Sequence, residues 1–455
     1  MSKANKDYKA FAIYAVILTS LGGLLYGFDI GAISGTILFI KKQLLLTDNQ
    51  ASFIISAVFG GCTVATLITG PAADTFGRKR MLQVGAILFI LGVSLLITSK
   101  SFTVLLVSRI IEGLGVGIIT IVAPLYISES IPSSIRGRGV TTFQLLVTAG
   151  ILIGAIVVIF FASTENWRLV FTIILIIGII FLLGIFLLKE SPRWLFKKGQ
   201  KALVLESLGR TYSEFELEKT IKEMEKLTEN KKDSIIKESF FQREYFYPFL
   251  LALIAASLTQ LTGINAFLQY SSIILKQAGL TSNIISMMGT SVITLVNLLS
   301  TILAFFLIDR LGRKPIFIIG SSGIVVAHIF SALVLLFMAP SVFRGYLCVI
   351  GLMLFIFFFA MGPGVILWLI ISEMLPTPIR SKGMSICLFS VFLITYILSS
   401  SFQAISKIAG FSGNFIFCAF FSIIMLIIAI FFIPETKNKT LEEIETYFLK
   451  FKKHL

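Results

Sequence analysis

Apolar residues fall along this chain in long uninterrupted blocks, with polar residues gathered between them. Twelve blocks are long enough to cross the hydrocarbon of a bilayer as helices, which takes about 20 residues each. They lie at 10–38, 51–73, 81–99, 102–130, 138–162, 168–188, 247–277, 284–308, 315–338, 344–374, 383–408 and 412–433. The longest polar stretch runs from Lys189 to Glu244, with six blocks before it and six after. Its helix-forming residues carry opposite charges three or four apart, as Glu218, Lys222 and Glu225 do, which predicts short surface helices. The pattern predicts an all-α membrane protein divided into a first bundle (1–188), a helical linker (189–245), a second bundle (246–433) and a tail (434–455).

Composition agrees with lipid as the solvent. Only 14% of the 455 residues are charged and 56% are hydrophobic, whereas a soluble chain carries about 25% charged residues. The formal net charge of +15 reads as topology. Lys3, Lys6 and Lys9, the loop Arg78-Lys79-Arg80, the linker and the tail all fall on one side for an even number of spans. By the positive-inside rule that side is the cytoplasm, so both termini are expected there. The basic residues sit between apolar spans, which argues against nucleic acid as a partner. The first apolar block is too long for the core of a cleavable signal and reads as a retained span. Cys62, Cys348, Cys387 and Cys418 all lie inside apolar blocks without metal-ligand spacing, so neither a metal nor a cofactor is expected.

Three motifs recur. Asp74-Thr-Phe-Gly-Arg-Lys-Arg80 returns as Asp309-Arg-Leu-Gly-Arg-Lys-Pro315, and Glu129 through Arg136 as Glu373 through Arg380, with the same spacing of seven. Glu190-Ser-Pro-Arg193 is echoed by Pro434-Glu-Thr-Lys437. The offsets stay between about 235 and 245 residues, which predicts two six-span repeats of the same topology. Such repeats suit alternating access to a site midway between them.

Charges inside spans are few, and their cost in lipid points to function. Asp29 lies in the first span, and Arg109 and Glu112 in the fourth. A carboxyl balanced by a nearby guanidinium can take and release a proton as its neighbour moves. A static pair that locks two helices is an equal reading of the same residues. Glu112 is either a second partner for Arg109 or a solvated cavity residue. Amides within spans are the next feature: Gln144, Gln260, Asn265, Gln269 and Asn297. Taken singly each is more often interhelical glue, but together they offer the donors and acceptors that sugar hydroxyls require. Trp368, just after Gly362-Pro-Gly364, is able to stack on a pyranose ring or simply to pack. Gly263 and the Gly-Pro-Gly run predict helices that break beside a cavity. The repeated acidic members of the loop motifs favour a gate held by ion pairs, because the positive-inside rule does not require them.

These residues resemble the sugar porter family of the major facilitator superfamily, most of all its bacterial sugar–proton symporters. The resemblance spans nearly the whole chain and rests on Gly70 through Arg80, Pro124 through Gly137, Glu190 through Leu195, Gln260 through Asn265, and Pro434 through Lys437. It implies the major facilitator fold, with twelve helices in two six-helix repeats. It implies sugar contacts at Gln144, Gln260, Asn265, Asn297, Gly364 and Trp368. It also places in the sugar site Gln269, where a Tyr is common, and Phe392, where a Trp is frequent. Asp29 and Arg109 match the family's proton-coupling pair. A gate set follows: Asp74, Arg78, Glu129, Arg136, Glu190 and Arg193 in the first half, and Asp309, Arg313, Glu373 and Arg380 in the second. Thr259, Val365, Ser381 and Val391 depart from the usual pattern, and Glu112 has no counterpart in it.

The expectation is a secondary transporter that imports a monosaccharide, hexose or pentose, by proton symport. Its partners are the sugar, protons and the lipid bilayer; its working unit is a monomer; its place is a bacterial inner membrane. A facilitator without coupling is the first rival. A nutrient sensor would carry a longer tail. An enzyme would need paired carboxylates, a nucleophile elbow or a phosphate loop, none of which the sequence carries.

Overall fold

The computed structural model describes residues 4–209, 211, 217, 221, 243–375 and 379–437. Every regular element among them is a helix. The first bundle comprises α1 (Ala4–Gln43), α2 (Asp48–Phe76), α3 (Arg78–Thr98), α4 (Phe102–Ser130), α5 (Ser133–Phe160) and α6 (Trp167–Leu187). Two short helices, α7 (Pro192–Lys197) and α8 (Lys201–Gly209), open the linker. The second bundle comprises α9 (Arg243–Leu261), α10 (Ile264–Ala278), α11 (Asn283–Leu311), α12 (Arg313–Phe337), α13 (Val342–Met361), α14 (Pro363–Met374) and α15 (Arg380–Phe431).

Two of the twelve expected spans are broken, as the glycines predict. The seventh is α9 and α10, separated at Thr262 and Gly263, where Gly263 adopts a left-handed φ of 86°. The tenth is α13 and α14, which part at Gly362. The last two expected spans, 383–408 and 412–433, follow each other without a loop. They run as one 52-residue helical element, α15, interrupted only at Gly410 (φ 67°, ψ 176°). A single residue turns the chain there, between the two blocks that the sequence separates.

Bilayer solvent explains the surface. On α6 the residues Ile176, Ile180, Leu183 and Leu187 recur at helical spacing and are each more than half exposed. The opposite face of α6 buries Trp167, Val170, Phe171, Ile174, Gly178, Phe181 and Ile185. A stripe of that kind on every long helix would aggregate in water, and it is stable against lipid. Inside the helices, Thr19, Thr36, Thr63, Ser321 and Ser422 return their hydroxyl hydrogens to the carbonyl four residues earlier. That spends their polarity locally, as an apolar interior demands.

The halves meet chiefly along three helix pairs: α1 with α10, α2 with α15, and α5 with α11. Exchanging the two halves turns the α2–α15 pairing into the α11–α5 pairing, so the interface has the approximate two-fold that the repeated motifs predict. Within the first bundle α1 lies tightly on α5. A Cβ at Gly31 would stand 2.0 Å from the carbonyl oxygen of Ile151, so only glycine permits this approach. Asp29 lies two residues before Gly31 on α1.

Candidate functional site

Three charges lie at the centre of the first bundle, and all are fully buried: Asp29 on α1, and Arg109 and Glu112 on α4. Arg109 Nη2 donates to Asp29 Oδ2 at 3.0 Å, and its Nη1 donates to Asp29 Oδ1. The same Nη1 also donates to Glu112 Oε2 at 2.8 Å. Arg109 Nε reaches the carbonyl of Ile54 on α2 at 3.4 Å. Of the two sequence readings of Glu112, the structure supports the partner of Arg109; the residue is not in a solvated cavity. Its second oxygen, Oε1, has no hydrogen-bond partner among the described residues. Tyr26 and Cys62 border the cluster; the Cys62 thiol donates to the carbonyl of Gly113 at 3.2 Å.

A polar group surrounds the break between α9 and α10. Gln260 Oε1 accepts from Asn265 Nδ2 at 3.2 Å and from Thr395 Oγ1 at 3.1 Å. Among the described residues these bonds use neither the Gln260 amide nitrogen nor the Asn265 carbonyl oxygen. Thr395, on α15, was missed by sequence reasoning; its position one turn after Val391 was the available signal. Asn297 is buried on α11 and Gln144 half-buried on α5, two helices that pack across the interface. Gly364 is half-buried at the start of α14, and Phe392 is buried on α15. Gln269 is fully enclosed, and neither of its amide atoms has a partner among the described residues. The Trp368 side chain lies outside the described residues. Behind the break, His328 Nε2 donates to the freed carbonyl of Thr262 at 3.0 Å. Phe267, Phe355 and Phe415 surround that imidazole.

The halves touch directly at the end away from the linker. Ser34 Oγ lies 3.0 Å from Ser271 Oγ and 3.2 Å from Ser272 Oγ, and both of those reach Thr290 at 2.9 Å. Asp48 on α2 and Lys407 on α15 form an ion pair of 3.5 Å across the same end.

At the linker end the ion pairs among the described residues are internal to each half. Arg78 donates from Nε to Glu129 Oε2 at 2.9 Å and from Nη2 to Glu129 Oε1 at 3.1 Å, a two-pronged pairing. Arg78 also pairs with Asp74 at 2.9 Å. Glu129 in turn accepts the hydroxyl of Ser191. In the second half Arg313 stands 3.8 Å from Glu373. Arg193 is exposed on α7. The side chains of Arg136, Asp309 and Arg380 lie outside the described residues.

Glu190 takes a more specific place than the sequence suggests. Its Oε1 accepts the backbone N–H groups of Arg78 at 2.8 Å and Lys79 at 3.0 Å, closing the N-terminus of α3. Glu435 does the same for α12 through the N–H groups of Arg313 and Lys314, each at 3.1 Å. Helix N-termini carry unpaired donors and a positive dipole end, so a carboxylate is the matching cap. The adjoining lysines complete the likeness: Lys79 Nζ donates to the carbonyl of Phe186, and Lys314 Nζ to that of Ile430. Glu435 is held below the ordinary carboxylate range. Burial pushes its carboxyl up, but the N–H groups of Lys437, Arg313, Lys314 and Thr436 outweigh that.

Comparisons with known proteins agree with this architecture. The profile of the family described as "Sugar (and other) transporter" matches residues 15–448. The glucose transporter GlcP of Staphylococcus epidermidis is 34% identical over 445 residues, covering 97% of each chain. The galactose-proton symporter of Escherichia coli is 32% identical over 461 residues, covering 99% of this chain and 97% of that protein. Among solved structures, a partially occluded inward open conformation of the xylose transporter XylE from E. coli superposes with a TM-score of 0.82. That match has 23% identity and covers 95% of this chain and 100% of the other, and it shows the shared fold.

Proposed function

The chain belongs to the sugar transporter family, a multi-pass membrane transporter of the major facilitator fold, and from that premise we propose that it imports a monosaccharide by proton symport through alternating access. The observation that carries the reading is the buried pairing of Asp29 with Arg109. An ionised carboxylate in this surrounding is tolerable only beside a counter-charge. Protonating Asp29 cancels the attraction and frees α1 from α4, so proton occupancy and helix arrangement are linked.

The sugar lies between the halves. Gln260, Asn265 and Asn297 contact it from the second half, Gln144 reaches it from the first, and Gly364, Trp368, Gln269 and Phe392 complete the wall. Their amides supply both donors and acceptors. The cross-half contacts of Ser34 and Asp48, at the end away from the linker, suit a carrier that opens toward the linker end. That end faces the cytoplasm, both termini lie there, and the membrane is a bacterial inner membrane. The ion-pair clusters of Arg78 with Glu129 and of Arg313 with Glu373 form the gate that re-pairs when this end shuts. The working unit is a monomer, and it takes no metal or cofactor.

Two relatives support the coupled reading over a uniporter, the galactose-proton and arabinose-proton symporters of E. coli. At a membrane potential of about 100 mV, one proton stores about 2.3 kcal/mol. One proton per neutral sugar therefore sustains about 50-fold accumulation. Two experiments test the reading. Sugar added to lightly buffered cells that make this protein alkalinises the medium if protons enter with the sugar; a pH trace that does not move while labelled sugar enters identifies a uniporter. A competition panel of hexoses and pentoses against uptake identifies the substrate.

A further inference from the structure

The proton-coupling pair of this chain is a triad. Asp29 and Glu112 both accept from one atom, Arg109 Nη1. All three side chains have no exposure to solvent. With both carboxyls ionised the triad would carry a net negative charge in a fully dry setting. One guanidinium is unable to neutralise two carboxylates, and a bare charge there is far costlier than a bound proton. Glu112 Oε1 supplies the second observation. It is buried without a hydrogen-bond partner among the described residues, which an ionised carboxylate oxygen does not tolerate.

Few other groups are near enough to take part. Tyr26 on α1 and Cys62 on α2 are the remaining titratable groups against the triad. From α3 the neighbour is Gly92, whose backbone lies against that of Glu112. On α5 no titratable side chain occurs after Arg138. Among the described residues no second cation pairs with the triad.

We propose that Asp29 and Glu112 jointly hold one proton, so that Glu112 is a second proton-carrying residue of the site. In the loaded state the triad is neutral: one carboxyl is protonated, and the other is ionised and paired with Arg109. When water reaches the triad from the open end, the proton leaves to that water and the triad becomes singly negative. A site of one aspartate and one arginine would instead alternate between a positive and a neutral state. The second acid thus lets the triad hold a proton without a net charge, because like charges that share a site disfavour joint ionisation.

The transport consequence rests on the symport reading, and the test separates the two. Infrared spectroscopy of the purified protein at neutral pH should show a protonated carboxyl C=O band. If the proton is shared, that band disappears in Glu112→Gln and also in Asp29→Asn, since each variant leaves one carboxylate and one guanidinium. Persistence of the band in Asp29→Asn would overturn the proposal, because Glu112 would then be a separate, permanently neutral acid. In proteoliposomes, Glu112→Gln should change the pH profile of proton-driven accumulation, since the proton then rests on Asp29 alone. An unchanged pH profile would also overturn it. If the wild-type protein fails to accumulate sugar on a proton gradient, the symport reading falls, while the infrared comparison still decides whether the proton is shared.

Discussion

Glu190 Oε1 lies 2.8 Å from the backbone nitrogen of Arg78, so a residue after the sixth helix closes the N-terminus of the third. Glu435 repeats this contact on Arg313 in the second half. Removing such a cap costs about 1–2 kcal/mol. Glu190→Ala and Glu435→Ala should therefore each lower the melting temperature in detergent, while an exposed neighbour such as Arg193→Ala should not. Equal melting of all three variants and the parent would contradict the capping role.

Gly77 has a φ of 99°, and a Cβ there would meet Glu190 Oε2 at 2.3 Å. A left-handed alanine costs about 1–2 kcal/mol, and here it also displaces the cap. The two effects share one contact, so they are not independent. Gly77→Ala should destabilise the parent more than it destabilises Glu190→Ala, which a double-mutant cycle of melting reads directly. Strict additivity would mean that Gly77 and Glu190 act separately.

The cap on α12 carries a pH signature. The Glu435 carboxyl sits below its ordinary range in the folded protein. A depressed folded value gives stability that is fully present above the unfolded carboxylate range and is lost as pH falls through the folded value. The melting advantage of the parent over Glu435→Gln should therefore hold near neutral pH and shrink on acidification. A gap that widens toward acid would reverse the sign and refute the assignment.

In the proposed sugar site, Gln260 is held by Asn265 and Thr395. Gln260→Ala removes a hydrogen-bonding ligand and should raise the KM for the transported sugar by about tenfold, the equivalent of about 1.4 kcal/mol. Thr395→Val removes only the support and should cost less, about 1 kcal/mol or under. A Thr395→Val effect larger than that of Gln260→Ala would point to Thr395 as the direct ligand.

Much of this architecture was legible because lipid is so demanding a solvent. Helix lengths, the repeat and the breaks at Gly263 and Gly362 all follow from apolar blocks and glycine placement. The juncture at Gly410 was legible as well, as the gap between the blocks 383–408 and 412–433. Asp29 and Arg109 stood out because charges are rare in spans, and Glu112 stood out with them, but its direction did not: helical spacing allowed both a pair and a cavity. The capping role of Glu190 was hidden because the donors it serves lie 112 residues away. His328 was hidden for the same reason; its partner is a carbonyl exposed by a break in another helix. Sequence shows which groups need partners, and only the packed structure shows which partner each one found.

The central claim is that protonation of Asp29 drives sugar uphill. Proteoliposomes containing wild-type protein or Asp29→Asn, given the same inward proton gradient and labelled sugar, test it most directly. The wild type should concentrate sugar, and Asp29→Asn should stop at equilibrium while still exchanging sugar for sugar at a measurable rate. Concentration of sugar by Asp29→Asn against its gradient would contradict the account.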